Sequence, residues 1–211
     1  MRTVIRLQAL GLLIAAALCA WWLCSAGATA AVAIRSNVQV RGATPTQLAM
    51  AQWAVDRFEA TALEPPTAKI EFHGDSSGCG GHVGFARQGE VDLCSVLVNA
   101  MSRRWLLHEM SHIWLDENVS ASTRAEFLKL RELASWNASG DPWELRGYEQ
   151  GAEIIAWTIG ERILTPSIPD NEPSEIASAY ELLTGNRLQE RSQAVSRSEI
   201  PGDSSSQAAN E

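Results

Sequence analysis

The chain has 211 residues, of which 45% are hydrophobic and 20% charged, and its formal net charge at pH 7 is −8. This length suits one compact domain with extensions. The acidic balance and the lack of a basic run argue against nucleic acids and anionic membrane surfaces as partners.

The first 33 residues have the pattern of an export signal. Two arginines precede an uncharged run that extends over residues 7–33 and ends in small residues. This order is typical of a secretory signal peptide, cleaved here after Ala30 or Ala33. Left uncut, the same run is long enough to anchor the chain in a membrane. In either case we expect residues 34–187 to form a domain outside the cytoplasm.

Residues 45–97 predict one helix followed by short strands. Pro45 begins the helix, whose apolar residues recur at helical spacing in QLAMAQWAVDRFEATAL, and a pair of prolines ends it. KIEFHG then alternates as a strand does. Two further strands, 83–86 and 90–97, flank a turn that contains Gly89.

Four helices are predicted after the strands. Asn99 or Ser102 caps the first helix, which carries LLHEMSHIW. The others follow from the periodicity of apolar residues, with Ser174 capping the last, and cover residues 121–136, 143–164 and 174–185. Residues 188–211 are polar and predict a disordered tail. The expected fold class is α+β, mainly helical, with a small, mostly antiparallel sheet before the LLHEMSHIW helix.

Two cysteines remain beyond the export signal. Cys79 and Cys94 are expected to form a disulfide, which is the default for two cysteines in an exported domain. A competing interpretation combines Cys79 with His82 in a second metal site. That site lacks a second pair of ligands at a suitable spacing.

The stretch LLHEMSHIW places two histidines four residues apart. On a helix, His108 and His112 lie on one face, so both imidazoles can bind one ion. Glu109 lies about 100° round the helix from His108 and can hold a water on that ion without being a ligand. This is the HExxH arrangement, in which the glutamate is a general base. The alternative is a core helix whose histidines are satisfied by hydrogen bonds.

A hydrolytic zinc site needs a third protein ligand and an open position for water. Asp116 lies on the same helix only one turn after His112, which is too early. The later segment YEQGAEIIAW offers Glu149 and Glu153, which are four residues apart and can face the site together. Both could instead be surface carboxylates, but the apolar neighbours of the pair make unpaired charge costly there.

With these two motifs the chain resembles the gluzincins, the thermolysin-like zinc peptidases. In that group the third ligand is a glutamate, and an acidic residue four positions later orients a ligating histidine, in the pattern E-x-x-A-[DE]. Residues 149–153, EQGAE, match it. The resemblance implies a minimal zincin fold, with Glu149 as the third zinc ligand and Glu153 as the partner of a histidine. Because E-x-x-A also matches at Glu153, the two roles could be exchanged.

The chain is also similar to a family of small exported zinc metallopeptidases of actinobacterial type. The similarity rests on LLHE-x-x-H-x-W followed by RG-x-E-x-x-AE-I-I-AW, and it covers about residues 38–183. It implies hydrolysis of peptide bonds with one zinc ion, with His108, His112 and Glu149 as ligands and Glu109 as the base. It does not identify a substrate.

A peptidase also needs a group that stabilises the developing oxyanion. The candidates are Tyr148, His82, Arg146 and His73, each of which could equally have a structural role. The segment 84–98 could bind an extended peptide by strand addition. The expected partner is therefore a peptide or protein substrate, with membrane contact only through an uncleaved N-terminal segment.

Two other functions remain open at this point. The chain could be a zinc-containing domain that binds a partner without turnover, or a domain in which the metal only holds helices together. Glu109 discriminates between them and a peptidase, because a structural zinc site has no need of it and closes its fourth position with another side chain.

Overall fold

A computed structural model describes residues 31–95, 97–162 and 165–187. The export signal up to residue 30 and the tail 188–211 lie outside the described residues. Among the described residues there are five strands, β1 (Val32–Arg35), β2 (Val38–Arg41), β3 (Ala68–Phe72), β4 (Gly84–Arg87) and β5 (Glu90–Leu93). The same part of the chain forms five helices, α1 (Pro45–Ala60), α2 (Ala100–Asn118), α3 (Ala121–Leu130), α4 (Gly147–Ile159) and α5 (Pro173–Thr184), and short 3-10 turns at Ser76–Cys79 and Trp143–Leu145.

The strands form one sheet in the order β1-β2-β3-β5-β4. The outer pairs β1–β2 and β4–β5 are antiparallel, and the inner pairs β2–β3 and β3–β5 are parallel. Helix α1 supplies the crossover that the parallel pair β2–β3 requires. The α+β class is confirmed, but the sheet is evenly mixed, whereas the sequence predicts a mostly antiparallel one. Strands β1 and β2, which are not predicted, account for half of the pairings.

One face of the sheet forms the core with the helices. The buried side chains of this core include Val40 of β2, Ile70 of β3 and Val91 of β5. On each of these strands, the residues next to the buried ones point to the opposite face of the sheet. This alternation is the period-two pattern of a sheet that is covered on one side. The helices contribute mainly aliphatic and aromatic side chains to the same core, among them Val55, Phe58, Leu106, Leu107, Ile154 and Ile155.

Local capping chemistry sets the start of the helix that carries LLHEMSHIW. Asn99 is the N-cap of α2, and its side chain accepts from the backbone N–H of Ser102 while the Ser102 hydroxyl accepts from the backbone N–H of Asn99. Both predicted cap residues therefore act together in a capping box. The start of α5 differs from the prediction, because Glu172 is the N-cap and Pro173 takes the first helical position, ahead of Ser174.

Helix α3 ends earlier and helix α4 begins later than the sequence predicts. Ser135 and Arg146 pair as a parallel β-bridge between the two helices. The N–H of Gly147 donates to the carbonyl of Ser135, and the N–H of Tyr148 donates to the carbonyl of Trp136. This non-local pairing takes up backbone groups that a continued helix would use, so it overrides the helical periodicity.

A disulfide joins Cys79, at the end of a 3-10 turn, to Cys94, directly after β5. The predicted bond is confirmed, and because Cys79 is oxidised in it, the proposed Cys79–His82 metal site is wrong. The loop that it closes contains strand β4, whose two-residue turn to β5 uses Gln88 and Gly89 at positive φ.

Replacing both cysteines, as Cys79→Ala with Cys94→Ala, is expected to lower the free energy of unfolding by about 3 kcal/mol, because the unfolded chain regains the entropy of a 15-residue loop. Urea unfolding in the presence of a chelator measures the difference. Reduced wild-type protein should match the double variant. An unchanged unfolding midpoint would show that the loop is held equally well without the bond.

Candidate metal centre

The site forms where helix α4 packs closely on helix α2. A Cβ added at Gly151 of α4 would lie 3.1 Å from a methyl carbon of Leu115 on α2, so the absence of a side chain permits the close approach. His108 and His112 lie one turn apart on α2 and face this contact. Glu149, in the first turn of α4, lies directly opposite them.

Three donor atoms meet in one largely buried corner. The Nε2 atoms of His108 and His112 are 3.1 Å apart, and Oε2 of Glu149 lies 3.2 Å from the first and 3.1 Å from the second. His108 is 8% and His112 5% exposed. Ligands at about 2.0–2.1 Å from a tetrahedral ion stand about 3.3–3.4 Å apart, so the three edges are close to those of one face of such a site. The group could therefore hold a metal ion.

Hydrogen bonding alone does not account for this triangle. Nδ1 of His108 faces the carboxylate of Glu153 at 3.3 Å, so in the neutral ring that nitrogen carries the proton. Nε2 then presents a lone pair to Oε2 of Glu149, which is an acceptor as well. Two acceptors at 3.2 Å repel each other unless a cation lies between them. The donor set thus fits a metal better than it fits a hydrogen-bonded core.

The ionisation states also suit metal binding. Burial lowers the pKa of His108, which keeps the imidazole neutral although Glu149 favours its protonation. Burial acts to raise the pKa of Glu149, but the close contacts of its carboxylate with His108 and His112 outweigh burial and hold the pKa well below its usual range. A neutral imidazole and an ionised carboxylate are the forms that coordinate a metal.

Glu153 lies on the far side of the His108 ring from Glu149. Its Oε2 faces Nδ1 of His108, and its Oε1 accepts from the backbone N–H of Ser167 at 2.8 Å and from the guanidinium of Arg104. Of the two glutamates that the sequence leaves open, Glu149 thus completes the donor group, and Glu153 holds the ring of one ligand. An imidazole fixed in this way presents Nε2 to an ion in one orientation.

Glu109 is near the donor group without belonging to it. Its carboxylate accepts from the backbone N–H of Ala86 on β4. A Cβ at Gly84 of the same strand would lie 2.9 Å from its Oε1, so the strand passes directly over it. Burial raises the pKa of Glu109 to about 7, although the neighbouring His108 opposes the shift. A carboxylate with such a pKa can both accept and release a proton near neutrality.

Tyr148, an oxyanion candidate, supports His112 in this structure. Its hydroxyl donates to Oδ2 of Asp116 at 2.9 Å, and its ring packs on the His112 ring with the centroids 4.2 Å apart. Nδ1 of His112 is buried and has no hydrogen-bond partner among the described residues. Ring packing therefore orients this histidine, whereas a carboxylate orients His108. Asp116 is not part of the donor group.

The other oxyanion candidates also lie outside the donor group. His82 is exposed. Nε2 of His73 lies 2.7 Å from Oδ1 of Asp92. Arg146 donates from Nε to the carbonyl of Asp141, which anchors the loop before α4.

Two residues at the site are not predicted from the sequence. Trp143, in the 3-10 turn before α4, stacks on the His108 ring at 5.8 Å between centroids and remains 39% exposed. No local pattern marks it. Arg104 precedes His108 by four residues, and this spacing on a helix could have indicated that it shares the face of the motif.

No protein-family model, curated protein or solved structure matches the chain. Within residues 31–95, 97–162 and 165–187, no helix has the length and apolar character needed to cross a membrane.

Glu109 should make the metal-free protein less stable as the pH rises. Its folded pKa of about 7 lies above the ordinary value of 4.5, so the folded state binds the proton more tightly and unfolding becomes easier between these two pH values. In Glu109→Gln this dependence is absent. We expect the free energy of unfolding of the variant, relative to wild type, to increase by at most about 3 kcal/mol from pH 4 to pH 8.

Chelator-treated proteins unfolded in urea at several pH values give this difference directly. Titrating groups that do not interact with Glu109 are shared by the two proteins and cancel, whereas His108 and Glu149 are coupled to Glu109 and contribute to the difference. A difference that stays constant from pH 4 to pH 8 would mean that Glu109 has an ordinary pKa in the folded protein.

Proposed function

We propose that the chain is an exported zinc-dependent peptidase, which hydrolyses peptide bonds with water and uses Glu109 as the general base. The observation that carries the proposal is the position of Glu109. It lies one residue from a metal-ligand candidate, under strand β4, and outside the donor group of His108, His112 and Glu149. A purely structural zinc site has four protein ligands and no acid–base group beside it.

Zinc is the metal that best suits this donor set. Two imidazole nitrogens and one carboxylate oxygen leave one coordination position open, which is the pattern of hydrolytic rather than structural zinc sites. Among the described residues the group contains three candidate ligands and no fourth. When bound, zinc would lower the pKa of a water molecule and polarise the carbonyl of the substrate.

The chain itself would supply the proton transfers. Glu109 takes a proton from the attacking water and later gives it to the leaving amine, as expected of a carboxylate with a pKa near the working pH. A bound cation would oppose the effect of burial and lower this pKa, which would favour the ionised form that acts as a base. The N–H of Ala86 fixes the carboxylate and would keep it directed at the site.

A peptide is the substrate class that strand β4 favours. It is the last strand of the sheet, and its backbone on the side away from β5 has no neighbouring strand. The N–H of Ala86 points to that side, because it binds Glu109. An extended peptide that paired with this edge would lie beside the base and the donor group.

Export is supported by two independent features. The disulfide between Cys79 and Cys94 is of a kind that persists in oxidising compartments. The N-terminal 33 residues have the composition of a signal peptide or membrane anchor. Strand β1 begins at Val32, so cleavage after Ala30 would keep this strand whole, whereas cleavage after Ala33 would truncate it.

Metal content and activity of three variants test the proposal. Wild type and Glu109→Gln should each hold about one zinc per chain, whereas His112→Ala should lose it. Glu109→Gln should lower cleavage of a quenched fluorescent peptide library by at least about 100-fold, because only the base is removed. Mass spectrometry gives the zinc content, and Glu126→Gln, on the exposed side of α3, is the matched control.

The outcomes separate the candidate functions. Wild type without zinc, even after zinc is added, would exclude a metal centre. Zinc in wild type with no cleavage of any library member would favour the non-catalytic binding domain. Full activity in Glu109→Gln would remove Glu109 as the base.

Strand β4 can be tested by adding a side chain over the base. Gly84→Val places methyl groups against the carboxylate of Glu109, so cleavage should fall by at least about 10-fold while zinc is retained. Gly74→Val is the control, since a Cβ there meets nothing within 4 Å. Equal activity in the two variants would show that β4 does not border the reacting atoms.

A further inference from the structure

Arg104 lies behind the donor group, and we propose that it is a positioning residue that sets the metal affinity of the site through Glu153 and His108. The inference rests on the proposed metal centre, but it does not require peptidase activity. The contacts run from Arg104, one helical turn before His108, through Glu153 to the ring of His108. They end at the Nε2 atom of that ring, which faces Glu149.

The first contact is a buried ion pair. The side chain of Arg104 is 13% exposed and that of Glu153 4%, and the guanidinium binds Oε1 of the carboxylate. A carboxylate removed from water needs compensation from charge or hydrogen bonds. Among the described ion pairs, Arg104 is the only cationic side chain paired with Glu153, because the other partner, His108, is a neutral imidazole.

The second contact transmits the position of Glu153 to the metal site. With Oε1 held by Arg104 and by the N–H of Ser167, Oε2 remains directed at Nδ1 of His108. That hydrogen bond keeps the proton on Nδ1 and leaves the lone pair of Nε2 toward the donor group. Without Arg104 the carboxylate can rotate, and the His108 ring loses its fixed orientation.

The same guanidinium also holds the chain that follows α4. Its Nη1 donates to the carbonyl of Thr165 at 2.8 Å, and Nη2 donates to the hydroxyl of Ser167 at 3.4 Å. The backbone N–H of Ser167 in turn binds Glu153. Arg104, Glu153 and the segment 165–167 therefore form one network, so that fixing His108 by a bound ion should also protect the Ser167 amide.

The planar fork of arginine suits this network better than an ammonium group does. Arg104 directs separate N–H groups to a carbonyl, a hydroxyl and a carboxylate at once. Lysine supplies the charge for Glu153 but cannot reach all three acceptors. Removal of the charge should thus have a larger effect than its replacement by lysine.

Zinc dissociation constants, from competition with a chromophoric chelator, test the proposal on the purified protein. Arg104→Gln is expected to weaken zinc binding by at least about 10-fold, and Arg104→Lys by less. The control is Arg103→Gln, which removes the neighbouring and more exposed pair with Glu161 and should leave the dissociation constant unchanged. Hydrogen exchange of the Ser167 amide is the second readout. Zinc should slow it in wild type and have a much smaller effect in Arg104→Gln.

The inference is overturned if Arg104→Gln binds zinc as tightly as wild type does. Arg104 would then be merely structural, even if the unfolding midpoint of the variant falls. If Arg104→Gln does not fold, the zinc affinity of Arg104→Lys is used instead. The inference is contradicted if Arg104→Lys binds zinc as tightly as the control Arg103→Gln. Wild type that binds no zinc is a different failure, since it removes the proposed metal centre together with everything that depends on it.

Discussion

The close contact between helices α2 and α4 is the constraint on which the candidate site depends. All three donor atoms come from these helices, and they meet because Gly151 allows Leu115 to approach the backbone of α4. A side chain at 151 would press on Leu115, which would have to shift for the two helices to keep their close contact. Positions fixed by packed helices are more exact than positions on loops, which suits a group whose edges measure 3.1–3.2 Å.

Three glutamates near this contact differ in what surrounds them, and the differences suit different roles. Glu149 lies against the rings of two histidines, which lower its pKa and keep it ionised. Glu153 is paired with Arg104. Glu109 receives a backbone N–H, none of the ion pairs among the described residues includes it, and burial raises its pKa to about 7. In the proposed peptidase, environment rather than residue type thus separates the ligand, the orienting group and the base.

Local signals in the sequence predict much of this site. Spacing on a helix is enough to place His108 and His112 on one face, and Glu149 and Glu153 on one face of a later helix. That the two faces meet is an expectation from the need for a third ligand and from the resemblance to gluzincins. Spacing cannot choose between the two glutamates, which are themselves one turn apart. That choice depends on how α4 is rotated against α2, which involves non-local packing such as the close approach of Gly151 to Leu115. The start of α4 is predicted too early for a similar reason. Ser135 and Arg146 pair in the segment between α3 and α4, and the periodicity of a local segment carries no information about such non-local pairing.

The ligand candidates and the base are held by separate parts of the fold. Helix packing and Glu153 position the donor group, whereas Glu109 depends on strand β4 through Ala86 and Gly84. That strand lies within the loop closed by Cys79 and Cys94, at the edge of the sheet, where only β5 pairs with it. The disulfide limits how far an edge strand with one neighbour can move from the helix. The disulfide, strand β4 and helix α2 thereby act together to hold Glu109 beside the donor group.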